Sequence, residues 1–487
     1  MCRLGPLLLG LCGIFVGCVE ARGEPSAAPE IDRPLTREEL LDPESCAQCH
    51  PRHYREWKSS THAYAAADPI FQAMNRRGQE ETGGALGDFC VRCHAPMAVL
   101  EGKTRDGLNF DEVDDHLEGV TCYFCHTADH VARDDNHGLV LADGRGDRTM
   151  RGGIFEPVPV AAHGSAFSPL HSARDAESSR LCGACHDVTT PSGLSLERTY
   201  QEFLSSAFAA SDQPLGCVGC HMRPRSGLSA ASLPGVQLPE RGVHEHLWPG
   251  VDLPLISWPD QAAYRAAVEC ELSRGTILNT LDVRANGELR VALKTTAGHS
   301  QPSGASHNRR LWVELVAYDK QGKVLLETGR VADDEIVDKL PSDPAYDPLL
   351  ELFRGRLHAA SGAQVAMLWE ADASAQFPNG LSERVLPARP RGEPDLAVDL
   401  LFRIPSAAER VTVRARMRPI GLDVVDDLIA SGHLASSVRA RVPTYTLYGT
   451  AFEWRARAGY GAWAEADPSP LACPSDYRCL FEPEACP

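Results

Sequence analysis

The pentapeptide Cys-x-x-Cys-His occurs five times between residues 46 and 221 of this 487-residue chain. The copies are Cys46-Ala47-Gln48-Cys49-His50, Cys90-Val91-Arg92-Cys93-His94, Cys122-Tyr123-Phe124-Cys125-His126, Cys182-Gly183-Ala184-Cys185-His186 and Cys217-Val218-Gly219-Cys220-His221. The composition alone would supply roughly 0.02 of them. Two thiols three residues apart lie on one turn, where they can add to both vinyl groups of a single haem. The next residue then presents its imidazole to the iron. Zinc clusters also use C-x-x-C pairs, but they do not need a histidine after every second cysteine. A thioredoxin-like redox pair would not recur five times. The expected cofactor is therefore five covalently bound haem c. Cys46, Cys49, Cys90, Cys93, Cys122, Cys125, Cys182, Cys185, Cys217 and Cys220 attach them, and His50, His94, His126, His186 and His221 are the proximal ligands.

The other cysteines point to an oxidising compartment. Of the 17 in the chain, ten belong to the motifs and Cys2, Cys12 and Cys18 lie near the amino terminus. Cys270, Cys473, Cys479 and Cys486 remain, an even set suited to one or two disulfides. The amino terminus carries Arg3 and then an apolar run from Leu4 to Val16. That run is too short to span a bilayer and suits the h-region of a signal peptide. Phe15-Val16-Gly17-Cys18 resembles a lipoprotein box, with Cys18 as the lipid anchor; simple cleavage after Ala21 is the alternative. The expected location is periplasmic or outer-membrane-associated, in a Gram-negative bacterium. A formal charge of −18 excludes nucleic acid as a partner, because phosphates would find nothing to neutralise them. Other redox proteins or cytochromes are the expected partners.

The character of the chain changes along its length. Residues 1–18 form the signal segment and 19–40 a Pro- and Ala-rich linker. Residues 41–260 hold all five motifs at irregular steps of 44, 32, 60 and 35 residues, which argues against a tandem repeat. Short helices are expected there, at Pro51 to Met74 and Ser195 to Ala210. From 261 to 450 apolar and polar residues alternate, as in Leu289, Val291 and Leu293 between Glu288, Arg290 and Lys294. Strands are expected at Leu311 to Tyr318 and Val324 to Glu327, joined by a hairpin turn, and at Val365 to Glu370, Leu396 to Ile404 and Val411 to Met417. Leu422 to Ala430 reads as a helix, and 451–487 as a Cys-containing tail. The expected fold is multidomain: an N-terminal, mainly α/irregular multihaem cytochrome c scaffold followed by a C-terminal β-sandwich-like domain.

The occupant of each iron's second axial position decides function. A second histidine gives a low-potential carrier, and an open position permits substrate chemistry. Thirteen histidines lie outside the motifs, ample for bis-histidine ligation. The run from Cys46 to Pro51 followed by Trp57-Lys58-Ser59-Ser60-Thr61-His62-Ala63 resembles the multihaem cytochromes that include the tetrahaem redox partner of hydroxylamine oxidoreductase. Leu181 to Asp187, Leu196 to Phe203, Cys220-His221-Met222, Ala297-Gly298-His299 and Arg309 to Trp312 are similar to larger bacterial members. The resemblance covers most of residues 46 to 420. It implies His62 as a distal ligand for a haem other than its neighbour, with His171 next. It also implies one of His244 and His246, and His299, whose alternative is a turn histidine capping a strand. For the fifth haem His116, His137, His163 and His53 stay open, and Met222 is read as packing on a ring.

These features describe an exported electron carrier with no catalytic residues of its own. The alternative is a reductase or oxidase of a small nitrogen or sulfur compound with one open iron. A third reading makes the β domain a docking module for a partner. No glycine-rich phosphate loop follows a predicted strand, so pyridine nucleotide chemistry has no support.

Overall fold

The structure, a computed structural model, describes residues 33–143, 148–210, 215–231, 237–284, 286–375, 380–394, 396–463, 473–474 and 477–481. The expected signal segment with Cys18, most of the linker and Cys486 lie outside them. Among the described residues no helix is long and apolar enough to cross a membrane.

The motif-bearing half is built from short helices, four of them started by a side-chain cap. Thr36 and Glu39 form a reciprocal capping box at Arg37–Leu41. Asp42 caps Pro43–Ala47, Asp68 caps Pro69–Glu81 and Thr121 caps Cys122–Thr127. The expected helix from Pro51 to Met74 is three pieces, Pro51–Ser59, Thr61–Tyr64 and Pro69–Glu81. Ser60 is extended and interrupts the ladder, and Pro69 bars helical geometry at Asp68 before it. The expected helix from Ser195 to Ala210 is likewise shorter. Ser195–Glu197 is a strand paired with Val188–Thr189, and only Thr199–Ser205 is helical. That helix ends at extended Ser206, which bridges to Pro390. The sheets of this half have two strands each and supply little core. One apolar cluster, around Phe71, Val91, Met97, Phe110, Tyr123 and Phe124, packs beside the second and third motifs.

The second half begins with the helix Gln261–Gly275 and is dominated by antiparallel strands. Glu288–Thr295 pairs with Thr276–Val283 on one side and Val398–Arg403 on the other. Leu289, Val291 and Leu293 are fully buried, as the alternation predicts. A larger sheet is centred on Arg310–Tyr318, which pairs with Val324–Thr328, Leu352–His358 and Arg410–Arg418. The hairpin turn uses Gly322 at φ +82°, a value that glycine adopts without cost. The strand expected over Val365 to Glu370 is only Gln364–Val365; Leu368–Glu370 is a short 3₁₀ turn in which the Glu370 carboxylate accepts from the Met367 N–H. Leu422–Ala430 is helical as expected.

Both sheets, the helix Gln261–Gly275 and Leu247, Val251 and Leu253 share one core. The strand-rich half therefore packs directly on the end of the motif-bearing half. Arg309 grips Asp252 through two bonds of 3.0 and 2.9 Å, and Trp369 donates to Glu81 at 2.7 Å. Cys270, inside the shared core, forms a disulfide with Cys473 of the tail, and Cys479 is also disulfide-bonded.

Candidate functional site

A cavity of about 2230 Å³ runs through the contact between the two halves. Ordinary ligand pockets are roughly 300–1,000 Å³, so this space suits several large flat groups. Its walls include both cysteines and the histidine of the first, third, fourth and fifth motifs. The second motif, Cys90 to His94, lies outside this lining. Each motif meets or enters a short helix, which brings its two thiols to one side. The motifs cluster in space: thiol contacts join Cys46 to Cys122, Cys93 to Cys185 and Cys182 to Cys217. Among the described residues no three His, Cys, Asp or Glu side chains converge as a metal-ion site, as a zinc cluster would require.

Four motif histidines face a second imidazole. Ring centroids are 6.4 Å apart for His50 and His163, and 6.3 Å for His186 and His62. They are 6.2 Å apart for His126 and His246, and 6.3 Å for His221 and His299. A metal–imidazole bond is about 2 Å and the ring centre lies about 1.1 Å further, so two imidazoles on one iron place their centroids about 6.2 Å apart. The four separations match that span. His94 differs: its ring stacks on Phe71 at 4.0 Å and 4°.

The tautomers suit metal binding. Nδ1–H donates to a backbone carbonyl in His50 (Ser229, 2.8 Å), His94 (Ala65, 3.0 Å), His126 (Arg151, 2.7 Å) and His221 (Pro249, 2.9 Å). It does so also in His163 (Gly164, 2.9 Å), His246 (His244, 3.0 Å) and His299 (Ser300, 2.9 Å). A carbonyl only accepts, so the proton sits on Nδ1 and Nε2 keeps its lone pair for a metal. Burial pushes His62 and His246 down to about 3 and His186 to about 4, and lowers His50, His94, His126 and His299, which favours the neutral ring in each of these seven.

The other candidates sit differently. His244 donates from Nδ1 to the Met222 carbonyl at 2.6 Å and faces no motif histidine. His171 stacks beside His126 at 5.6 Å, but its Nε2 is engaged with the Cys125 carbonyl at 2.7 Å, and its buried Nδ1 has no partner. His53 lies edge-on between His50 and His246, at 6.0 and 4.8 Å, and burial pushes it down to about 2. Glu202 steadies the His299 loop by accepting from the Ser300 N–H (3.0 Å) and the hydroxyls of Ser300 (2.6 Å) and Ser303 (2.8 Å). His163 was one of four open candidates in the sequence, and no local motif distinguishes it. Trp248, in edge contact with both His62 and His246, carries no sequence signal beyond its place after the H-x-H pair.

Residues 45–127, spanning the first three motifs, match the family model of cytochrome c554 and c-prime. The fold is similar to that of a penta-heme cytochrome c552 from Thermochromatium tepidum, with a TM-score of 0.56 and 20% sequence identity. That match covers 85% of this chain and 97% of the other. No curated protein matches the chain. The family model and the five motifs, four of which line the cavity, support a multihaem c-type cytochrome that binds haem c covalently, and the likeness to the penta-heme cytochrome is one of fold.

Proposed function

We propose that the chain is an exported pentahaem electron carrier in which four haems are held by paired imidazoles. The carrying observation is the recurrence of one separation, 6.2 to 6.4 Å, between four motif histidines and four non-motif histidines. In this reading His163, His246, His62 and His299 are the distal ligands of the first, third, fourth and fifth motifs. His244 and His171 support the site without binding iron, since His244 lies opposite no motif histidine and His171 has its Nε2 on a carbonyl. Haem c, when bound, supplies the one-electron chemistry. The protein attaches it and fixes the imidazoles. The clustering of motifs gives a conducting path, and electrons pass to and from other redox proteins or cytochromes. The apolar segment before Cys18 supports export to the periplasm or outer membrane, with Cys18 as lipid anchor. Residues 41–260 act as the haem-bearing domain and 261–450 as the domain that completes it with His299.

One observation favours a second reading for the second motif. Among the described residues no imidazole faces His94 at the ligand-pair separation, and Phe71 occupies the contact next to its ring. An iron there would keep an open position able to take a small nitrogen or sulfur compound. EPR of the haem-loaded chain tests both statements. Four low-spin haems and one high-spin haem are expected, and only the high-spin signal should change with cyanide, nitrite or hydroxylamine. Fewer than four low-spin haems would overturn the ligand pairs; five would overturn the open position.

A further inference from the structure

The segment His246–Pro249 touches three ligand pairs. His246 faces His126, and the Pro249 carbonyl accepts from Nδ1 of His221 at 2.9 Å. Between them the Trp248 ring stands edge-on to His62 at 4.7 Å and 78°, and to His246 at 5.2 Å and 74°. Trp248 has φ +45°, in a region that bulky residues rarely occupy, directly before a proline. Buried Leu247 and the Tyr264 hydroxyl, which donates to the Trp248 carbonyl at 3.4 Å, hold it there. Outliers of this kind persist where surrounding structure imposes them, often at functional sites.

The pair that Trp248 touches is unlike the other three. The ring planes of His62 and His186 cross at 69°, against 28° for His50 and His163, 18° for His126 and His246, and 16° for His221 and His299. In those three pairs both imidazoles donate from Nδ1 to a carbonyl. Among the described residues neither His62 nor His186 has a hydrogen bond to its ring. His62 is therefore oriented by contact alone, and Trp248 supplies the aromatic edge.

We propose that Trp248 is a positioning residue that holds His62 crosswise to His186, and that the haem of Cys182 and Cys185, whose two imidazoles lack carbonyl partners, is the highest-potential of the four bis-imidazole haems. This rests on the ligand pairs proposed above. A carbonyl on Nδ1 raises an imidazole's basicity and so favours ferric iron. The His62–His186 pair lacks that support on both sides, so its ferric state is the least favoured of the four. Ring orientation gives a separate signature. Parallel imidazoles interact with the same iron d orbital and split the pair of orbitals apart. Crossed imidazoles interact with different ones and leave them nearly degenerate, which produces a low-spin EPR signal of unusually large maximum g.

The test is an EPR-monitored reductive titration, with dithionite, of the full haem-loaded chain as wild type, Trp248→Phe and Trp248→Leu. The wild type should show one large-g signal that disappears before the rhombic low-spin signals. Trp248→Phe keeps an aromatic edge and should retain it, whereas Trp248→Leu should lose it into the rhombic envelope. A wild type without the large-g signal, one in which it is reduced last, or a Trp248→Leu protein in which it is unchanged would each overturn the proposal. If haem content shows that Trp248→Leu does not assemble, the wild-type order of reduction and the Phe variant decide. Failure of the ligand pairs themselves is distinguishable, because fewer than four low-spin haems would then integrate in the wild type.

Discussion

His126 and His246 face each other with ring centroids 6.2 Å apart and planes 18° apart, although the fourth and fifth motifs lie between them in sequence. His244, two residues earlier, points its Nδ1 at the Met222 carbonyl and meets neither ring. Replacing His246 by alanine should convert one haem from low to high spin, while His244→Ala leaves the count of low-spin haems unchanged. EPR spin quantitation on the two variants separates the members of the pair, and the opposite outcome would reassign the ligand.

His163 sits opposite His50 at 6.4 Å. His163→Gly should open the first-motif haem and create a high-spin signal that added imidazole abolishes. His116→Gly and His137→Gly should show neither change. Rescue by imidazole is the reading that a merely structural role would not produce.

The disulfide between Cys270 and Cys473 closes a sequence separation of 203 residues and ties the tail to the helix beneath the shared core. Losing such a constraint typically costs about 2–4 kcal/mol. Paired Cys270→Ser and Cys473→Ser replacements should lower the urea midpoint by a corresponding amount while haem content stays at the wild-type level. An unchanged midpoint would show that packing around Tyr477, which is fully buried, holds the tail alone.

His307 is buried beside Arg354, Arg310 and Arg309, and burial with those charges pushes its imidazole from 6.5 down to about 3. Below pH 6.5 the unfolded chain takes up a proton that the folded chain refuses, so stability falls as the pH drops from about 6.5 to about 3. Going from pH 6.5 to 5 should cost about 2 kcal/mol from this group, at about 1.4 kcal/mol per pH unit. Urea titrations at pH 7 and 5 on wild type and His307→Gln measure it. The variant should lose part of the acid sensitivity, and identical slopes would refute the assignment.

Much of the strand-rich half was legible from period alone. Leu289, Val291 and Leu293 alternate with polar neighbours and are buried as that pattern requires. The helix Leu422–Ala430 coincides with its apolar periodicity. The motif-bearing half was less legible. Its helices are too short for periodicity to bound them, and single residues such as Ser60, Pro69 and Ser206 decide where they stop.

The five C-x-x-C-H motifs by themselves pointed to covalently bound haem c, because thiol spacing and the following imidazole act within one turn of chain. What lies opposite each motif histidine is a long-range matter. His163, His246 and His299 reach their partners from loops and His62 from the short helix Thr61–Tyr64, and His299 comes from the strand-rich half. Resemblance of local motifs picks out His62, His299 and the His244/His246 pair as candidates, but local sequence does not say which motif histidine each one meets, and it leaves His163 undistinguished. The same is true of Trp248, whose role exists only because folding brings His62 and His246 to two sides of one ring. Spacing along the chain sets covalent reach, but the shared core sets which imidazoles meet across the cavity.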